Sequence, residues 1–221
     1  MLRQVRRASW RFAVSLAAWL TIANVAIADP PTSPIGSFST AKKHARDIVY
    51  ADRPATFYCG CRYEPSMSGS GGQIDHDDCG YETRTNAARA ARLEWEHIMP
   101  AHRFGDDRRC WTVGHASCEQ NGTPFKGRRC CAHAGVDTAF RTMENDLHNL
   151  VPAVGEVNGD RSNHPFGLLD GESRLYGACD FELGGIHVRA EAKEERRGDV
   201  ARPISAWRTP MGSSSQPRRP S

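Results

Sequence analysis

The sequence predicts one domain of mixed helix and strand, α+β in class and stabilised by disulfides, and three observations predict it. At 221 residues the chain can bury one sizeable core but is short for two. Short stretches of helical periodicity and of strand-like alternation follow one another along its length. Eight cysteines, Cys59, Cys61, Cys79, Cys110, Cys118, Cys130, Cys131 and Cys179, all lie beyond an N-terminal export signal, and an even count in an exported chain reads as up to four disulfides.

The signal occupies residues 1–28. Arg3, Arg6, Arg7 and Arg11 form a basic start, an apolar run follows over residues 12–27, and Ala26-Ile27-Ala28 is a small-residue cleavage site. A membrane anchor is the competing reading, but the run is short for a span and ends in Ala-x-Ala. Residues 29–36 form a Pro-rich leader, and from residue 203 the chain turns Pro/Ser/Arg-rich and is expected to be a disordered tail. That leaves residues 37–202 for the folded domain. Once the signal is removed the chain is expected to be free of the membrane and monomeric. It then holds 25 basic residues against 26 acidic ones, so net charge is silent about partners. The distribution is more telling, because residues 84–141 hold 10 basic and 6 acidic residues, a local excess able to draw in a polyanion.

Taken in order, Ser37 or Ser39 caps a helix over residues 40–50, with Ala41, Ala45, Ile48 and Val49 as its apolar stripe. Residues 56–61 have strand-like side chains running into a cysteine pair. A Gly/Ser-rich loop over residues 66–73 leads to the acidic turn Asp75-His76-Asp77-Asp78, which lacks the spacing of a calcium loop. Cys59-x-Cys61 and His76-x-x-Cys79 raise zinc as a rival to disulfides, but neither has the C-x2-C pairing of common zinc modules. A short helix over residues 86–92 delivers the chain into a strand over residues 93–99, ended by Pro100. The polar stretch 103–135 carries four of the cysteines and the candidate phosphate contacts Lys126, Arg128 and Arg129. Asp137 or Thr138 caps a helix running to Asn145, and residues 156–161 form a second one with Gly159 near its end. Phe166, Leu168, Leu169, Tyr176, Phe181, Leu183 and Ile186 supply further core.

Two stretches carry chemistry. Glu94-Trp95-Glu96-His97-Ile98-Met99-Pro100 sets a histidine, a general base suited to neutral pH, beside a carboxylate. His148-Asn149-Leu150 and Asn158 lie downstream, and an amide oxygen at 158 with the Glu96 carboxylate would give a hard cation such as Mg²⁺ the oxygen ligands it prefers. Strand alternation points Glu96 and His97 to opposite faces, so one site served by both needs a twist or a bend after His97.

These blocks, with Arg103-Phe104-Gly105, Met143-Glu144-Asn145-Asp146-Leu147, Gly155-Glu156-Val157-Asn158-Gly159-Asp160-Arg161 and the cysteine-bearing Phe57-Tyr58-Cys59-Gly60-Cys61, resemble the endonuclease I family of bacterial nucleases in order over residues 37–202. The resemblance implies a ββα-metal (His-Me finger) site and sequence-nonspecific cleavage of DNA, and often of RNA, with one Mg²⁺. It implies His97 as the general base, Glu96 and Asn158 as the Mg²⁺ ligands, Arg128 as the phosphate-binding arginine and Asn149 as a brace behind the histidine. Glu144 and His148 have a spacing that could suit a metal but are assigned a structural role, and Arg161 is left between a phosphate contact and a surface ion pair. One departure stands out. Residues 197–202 look like the start of a helix that family members continue, whereas Pro203 intervenes here, so a truncated C-terminus and an uncovered core are expected. Two other functions follow from these doubts: a nucleic-acid-binding protein that cuts poorly or not at all, and a zinc hydrolase built on His97, His148 and free thiols.

Overall fold

Ser37 opens the first helix because its hydroxyl accepts the Thr40 N–H at 3.1 Å while its own backbone is still extended. The computed structural model describes residues 35–171 and 173–208, all within one unit, Thr32–Ser221. The signal, the leader up to residue 34 and the tail beyond residue 208 lie outside the described residues. Helix α1 (Phe38–His44) buries Ala41 and passes into a π-wound turn, Ala45–Val49. The wider winding shifts the stripe out of phase. Ala45 stays buried, but Ile48 is 68 % exposed and Val49 is also outside.

The predicted strand over residues 56–61 is instead a turn. Gly60 adopts a positive φ of 75°, its N–H bonds the Thr56 carbonyl, and the Thr56 hydroxyl accepts the Cys61 N–H. The turn splays the two cysteines toward different partners. The strand starts two residues later, as β1 (Tyr63–Pro65), and pairs antiparallel with β2 (Gly72–Ile74) across the Gly/Ser loop. Asp75 and Asp78 of the acidic turn face Arg62.

Helix α2 (Ala87–Ala90) is capped by Asn86, and β3 (Leu93–His97) follows after two residues. Pro100 then starts α3 (Ala101–Gly105). The polar stretch folds as α4 (Arg109–Thr112), the small hairpin β4 (Glu119–Gln120) and β5 (Thr123–Pro124), and α5 (Arg128–Cys131). Helix α6 (Thr138–Glu144) is capped by Asp137. Strand β6 (Leu150–Val154) pairs antiparallel with β3, from Leu93 opposite Val154 to His97 opposite Leu150, and α7 (Gly155–Arg161) leaves it without a loop. Gly159 does not end α7. A Cβ there would collide with the Arg89 guanidinium, so the glycine admits a close approach.

The hairpin of β7 (Phe181–Gly184) and β8 (Arg189–Ala192) leads into α8 (Glu194–Arg208). Helix α8 runs through Pro203 to Arg208 instead of stopping at Arg202, which corrects the expected break at the proline. Val200, Pro203 and Ile204 fall on one helical face and pack toward the core, and that burial offsets the backbone bond a proline removes. Of the further core residues predicted in this half, Tyr176 and Phe181 are fully buried, whereas Leu168 and Ile186 are 68 % and 100 % exposed.

Two apolar clusters result. The larger gathers β3, β6 and α7 with Tyr58, Tyr81, Tyr176 and Phe181, and the smaller gathers Ala101, Phe104 and Phe140 with Cys110, Cys118, Cys130 and Cys131. The cysteines form four disulfides, Cys59–Cys179, Cys61–Cys79, Cys110–Cys131 and Cys118–Cys130. No thiol is left for the zinc reading. The first bridge spans 120 residues and ties the N-terminal turn to β7, while the last two staple the smaller cluster.

Candidate active site

A cleft of about 360 Å³ opens where β3 ends, lined by Trp95, Glu96 and His97, by Pro100 and Ala101 beyond them, by Asn158, Gly159, Arg161 and Ser162 from α7, and by Arg89 and Arg128. Trp95, Glu96 and His97 all line it, so where β3 ends the cleft takes side chains that alternation assigns to both faces of the strand. That removes the difficulty raised by alternation. Of the predicted site residues, Glu96, His97, Asn158 and Arg128 all line this one cleft.

His97 is held from several sides. Its ring stacks on Phe38 of α1, with centroids 5.0 Å apart, and meets the edge of Phe104. Nε2 lies 2.8 Å from the Glu144 carbonyl, which can only accept, so Nε2 carries the proton and Nδ1 keeps its lone pair. Nδ1 has no protein partner among the described residues. Burial drives the imidazole pKa down to about 3, the Arg128 and Arg161 charges push the same way, and the Glu144 carbonyl opposes them. The ring is therefore neutral at pH 7. Asn149 braces the chain just beyond it, accepting the Met99 N–H at 2.7 Å and donating to the Met99 carbonyl at 2.9 Å, while its own carbonyl takes the Ile98 N–H.

Glu96 is buried, and its Oε1 accepts from Arg161 Nη1 at 2.7 Å and from Tyr58 at 3.3 Å. Burial raises its pKa to about 7 against the pull of Arg161 and Tyr58. Oε2 has no hydrogen-bond partner among the described residues. Asn158 donates its Nδ2 to Glu94 Oε2 at 2.7 Å, and its amide oxygen has no hydrogen-bond partner among the described residues. One carboxylate oxygen and one amide oxygen on the same cleft fit a hard octahedral cation that keeps several waters. They do not make an all-protein cage, and among the described residues no group of three or more His, Cys, Asp or Glu could hold a metal ion.

Arg128 donates its Nε to Glu144 Oε1 at 2.7 Å and lies over the Phe38 ring at 4.8 Å, with its remaining guanidinium nitrogens available to the cleft. Its sequence neighbours are turned elsewhere, Lys126 onto the Thr112 carbonyl and Arg129 onto Phe125 and Gln120. The Glu144 and His148 pair does not converge, since Glu144 is buried against Arg128 and His148 is exposed beside Asp146. Arg161 is neither a surface ion pair nor an open phosphate contact. It is 1 % exposed, donates to Glu96 and to the carbonyls of His97 and Ile98, and lies over Phe166.

Three residues of the site were given no role from sequence. Glu94 receives Arg89, Arg92 and Asn158, and Phe38 covers His97 from a helix more than fifty residues away. Glu156 is buried beneath α7, with its carboxylate accepting from the Tyr81 hydroxyl and from the Arg84, Thr85 and Asn86 N–H groups. The Glu-x-Glu spacing of Glu94 and Glu96, which puts both on one strand face, was the available signal for Glu94.

The family described as Endonuclease I matches residues 37–208. A periplasmic deoxyribonuclease of Aeromonas hydrophila is 41 % identical over 160 residues, 71 % of this chain and 60 % of that protein. An extracellular deoxyribonuclease of the same organism is 42 % identical over 163 residues, 73 % of this chain and 64 % of that protein. Endonuclease-1 of Buchnera aphidicola subsp. Acyrthosiphon pisum is 37 % identical over 154 residues, 70 % of this chain and 55 % of that protein. The matches thus span between 55 % and 64 % of the length of these relatives.

Proposed function

Since the chain belongs to the endonuclease I family, we propose that it is a periplasmic or secreted endonuclease that hydrolyses phosphodiester bonds of DNA with His97 as general base and one divalent cation. The location and the DNA substrate are taken from the names of its relatives. The observation that carries the reading is the His97 hydrogen bond to the Glu144 carbonyl, which frees Nδ1 in the cleft that also holds the Glu96 and Asn158 oxygens. An antiparallel β3–β6 pair running straight into α7 supports a ββα-metal, His-Me finger arrangement.

In this reading Nδ1 of His97, whose lone pair is left free by the Nε2 bond to the Glu144 carbonyl, takes the proton of the attacking water. Glu96 and Asn158 would hold Mg²⁺, which would supply charge stabilisation to the phosphoryl and leaving oxygens. Arg128 sets a fixed positive charge against the phosphate, and Glu144 keeps its guanidinium in place. Arg161 stays off the substrate and holds the turn of backbone that carries His97 and Ile98. The groups given roles here, a cation on two oxygens and the Arg128 charge, all address phosphate, so cleavage is expected to be sequence-nonspecific.

Nicking of supercoiled plasmid with Mg²⁺, with EDTA, and by His97→Ala beside the parent tests this. The parent is expected to nick only with Mg²⁺, and His97→Ala is expected to bind DNA while losing at least about 100-fold in rate. Cleavage by the parent in EDTA, or by His97→Ala at the parental rate, would refute the assignment. The alternative, a protein that binds nucleic acid without cutting it, drew on a missing last helix. Helix α8 runs on past the proline where the break was expected, and the same assay separates the two readings.

A further inference from the structure

We propose that Glu94 is a positioning residue that holds the Asn158 amide with its oxygen toward the cleft, and so sets how tightly the cleft takes a divalent cation. The inference rests on Asn158 being an oxygen donor to that cation.

An asparagine amide can be turned either way about its last torsion, and the two orientations present opposite chemistry to the cleft. In one a lone pair faces a cation, and in the other an NH₂ does. Glu94 removes the choice. Its carboxylate lies 2.7 Å from the Asn158 amide nitrogen, and an ionised carboxylate can only accept. The nitrogen must therefore face Glu94, which leaves the oxygen for the cleft.

The surroundings of Glu94 keep it ionised and still. Arg89 grips it with two bonds, Nε to Oε1 at 2.9 Å and Nη2 to Oε2 at 2.7 Å, and Arg92 adds Nε to Oε1 at 2.9 Å. Two guanidinium groups on one carboxylate fix it as an acceptor. The backbone makes room for this arrangement on both sides of Asn158. A Cβ at Gly155 would come within 3.1 Å of the Glu94 carboxyl carbon and closer still to the Arg89 carbonyl, and a Cβ at Gly159 would collide with the Arg89 guanidinium. Two glycines in one helix turn are thus explained by a single packed unit of Arg89, Glu94 and Asn158. Such outer partners orient a ligand, and their loss typically weakens metal binding about 10–100-fold.

The test is Mn²⁺ binding without DNA, followed through the electron paramagnetic resonance signal of the free ion, for the parent, Glu94→Gln, Asn158→Ala and the double variant. Mn²⁺ stands in for Mg²⁺ as an oxygen-preferring octahedral ion. Glu94→Gln is expected to weaken binding about 10-fold or more, and the double variant is expected to bind no more weakly than Asn158→Ala, because Glu94 acts through Asn158. A melting temperature accompanies each protein. The ¹⁵N-labelled parent gives a readout that needs no variant: one Asn158 side-chain proton is expected well downfield of the usual amide pair.

Unchanged binding by Glu94→Gln, losses that multiply in the double variant, or an unshifted Asn158 amide would each overturn the proposal. A parent protein that takes no Mn²⁺ while Asn158 shows the shifted proton would instead overturn the cation reading on which it stands.

Discussion

Replacing Glu156 with glutamine isolates one buried carboxylate that organises the approach to the site. Oε2 accepts from the Tyr81 hydroxyl at 2.6 Å and the Arg84 N–H at 3.0 Å, and Oε1 accepts from the Thr85 and Asn86 N–H groups at 2.7 and 2.6 Å and from the Thr85 hydroxyl at 3.3 Å. Glutamine keeps one acceptor oxygen. Its least costly orientation puts NH₂ in the Oε2 position, where the tyrosine hydroxyl can reverse and accept but the Arg84 N–H cannot. One charged hydrogen bond is lost and the others become neutral, a cost of about 3 kcal/mol. For a chain of this size that is a fall of about 10 °C in melting temperature.

The same bonds give the prediction its pH signature. Burial opposes ionisation of Glu156, but Tyr81 and the three backbone amides outweigh it and bring the carboxyl down to about 2. A folded pKa below the unfolded value of about 4.3 means that the stabilisation is complete above that value and is lost as pH falls through 2. The shift corresponds to about 3 kcal/mol, in line with the bond count. Thermal unfolding from pH 7 to pH 2, followed by circular dichroism, should therefore show parent and Glu156→Gln well apart at pH 5–7 and converging toward pH 2. A constant gap across that range, or a gap under about 2 °C at pH 7, would refute the account.

Arg161→Met removes one partner of a buried pair and strips two carbonyls of their donor, so it is expected to cost about 3–5 kcal/mol, measured as a lowered urea midpoint at unchanged slope. Alanine at both Cys59 and Cys179 opens a closure of 120 residues and is expected to cost about 4 kcal/mol, whereas a loss below about 1 kcal/mol would show that the bridge constrains little. Arg128→Ala is expected to slow plasmid cleavage by about 100-fold or more and to lower stability by about 1–3 kcal/mol, since it leaves the buried Glu144 carboxylate without its partner; a variant that cuts at the parental rate would remove Arg128 from the chemistry.

Local chemistry alone was enough to place several elements. Ser37 and Asp137 cap the helices that follow them, Asn86 caps α2, and Leu93 to His97 pair as a strand, because a cap or an alternation is a property of adjacent residues. The blocks that hold Glu96, His97 and Asn158, which line the cleft, were legible through their resemblance to the endonuclease I family. Where the sequence misled, the deciding partner was distant in the chain. The cysteines between 56 and 61 look like the end of a strand, yet their bridges to Cys179 and Cys79 and the left-handed Gly60 make a turn. Pro203 looks like a stop, yet burial of its face carries α8 onward. Arg161 and Glu94 had no assignable role, because a charged side chain reads as solvated until the fold shows which carbonyl, carboxylate or amide it meets. Sequence thus determined which groups the protein has for chemistry; only the tertiary structure decided which of them are turned toward the cleft and which are held behind it, since hydrogen-bond direction and burial are set by neighbours some sixty residues away.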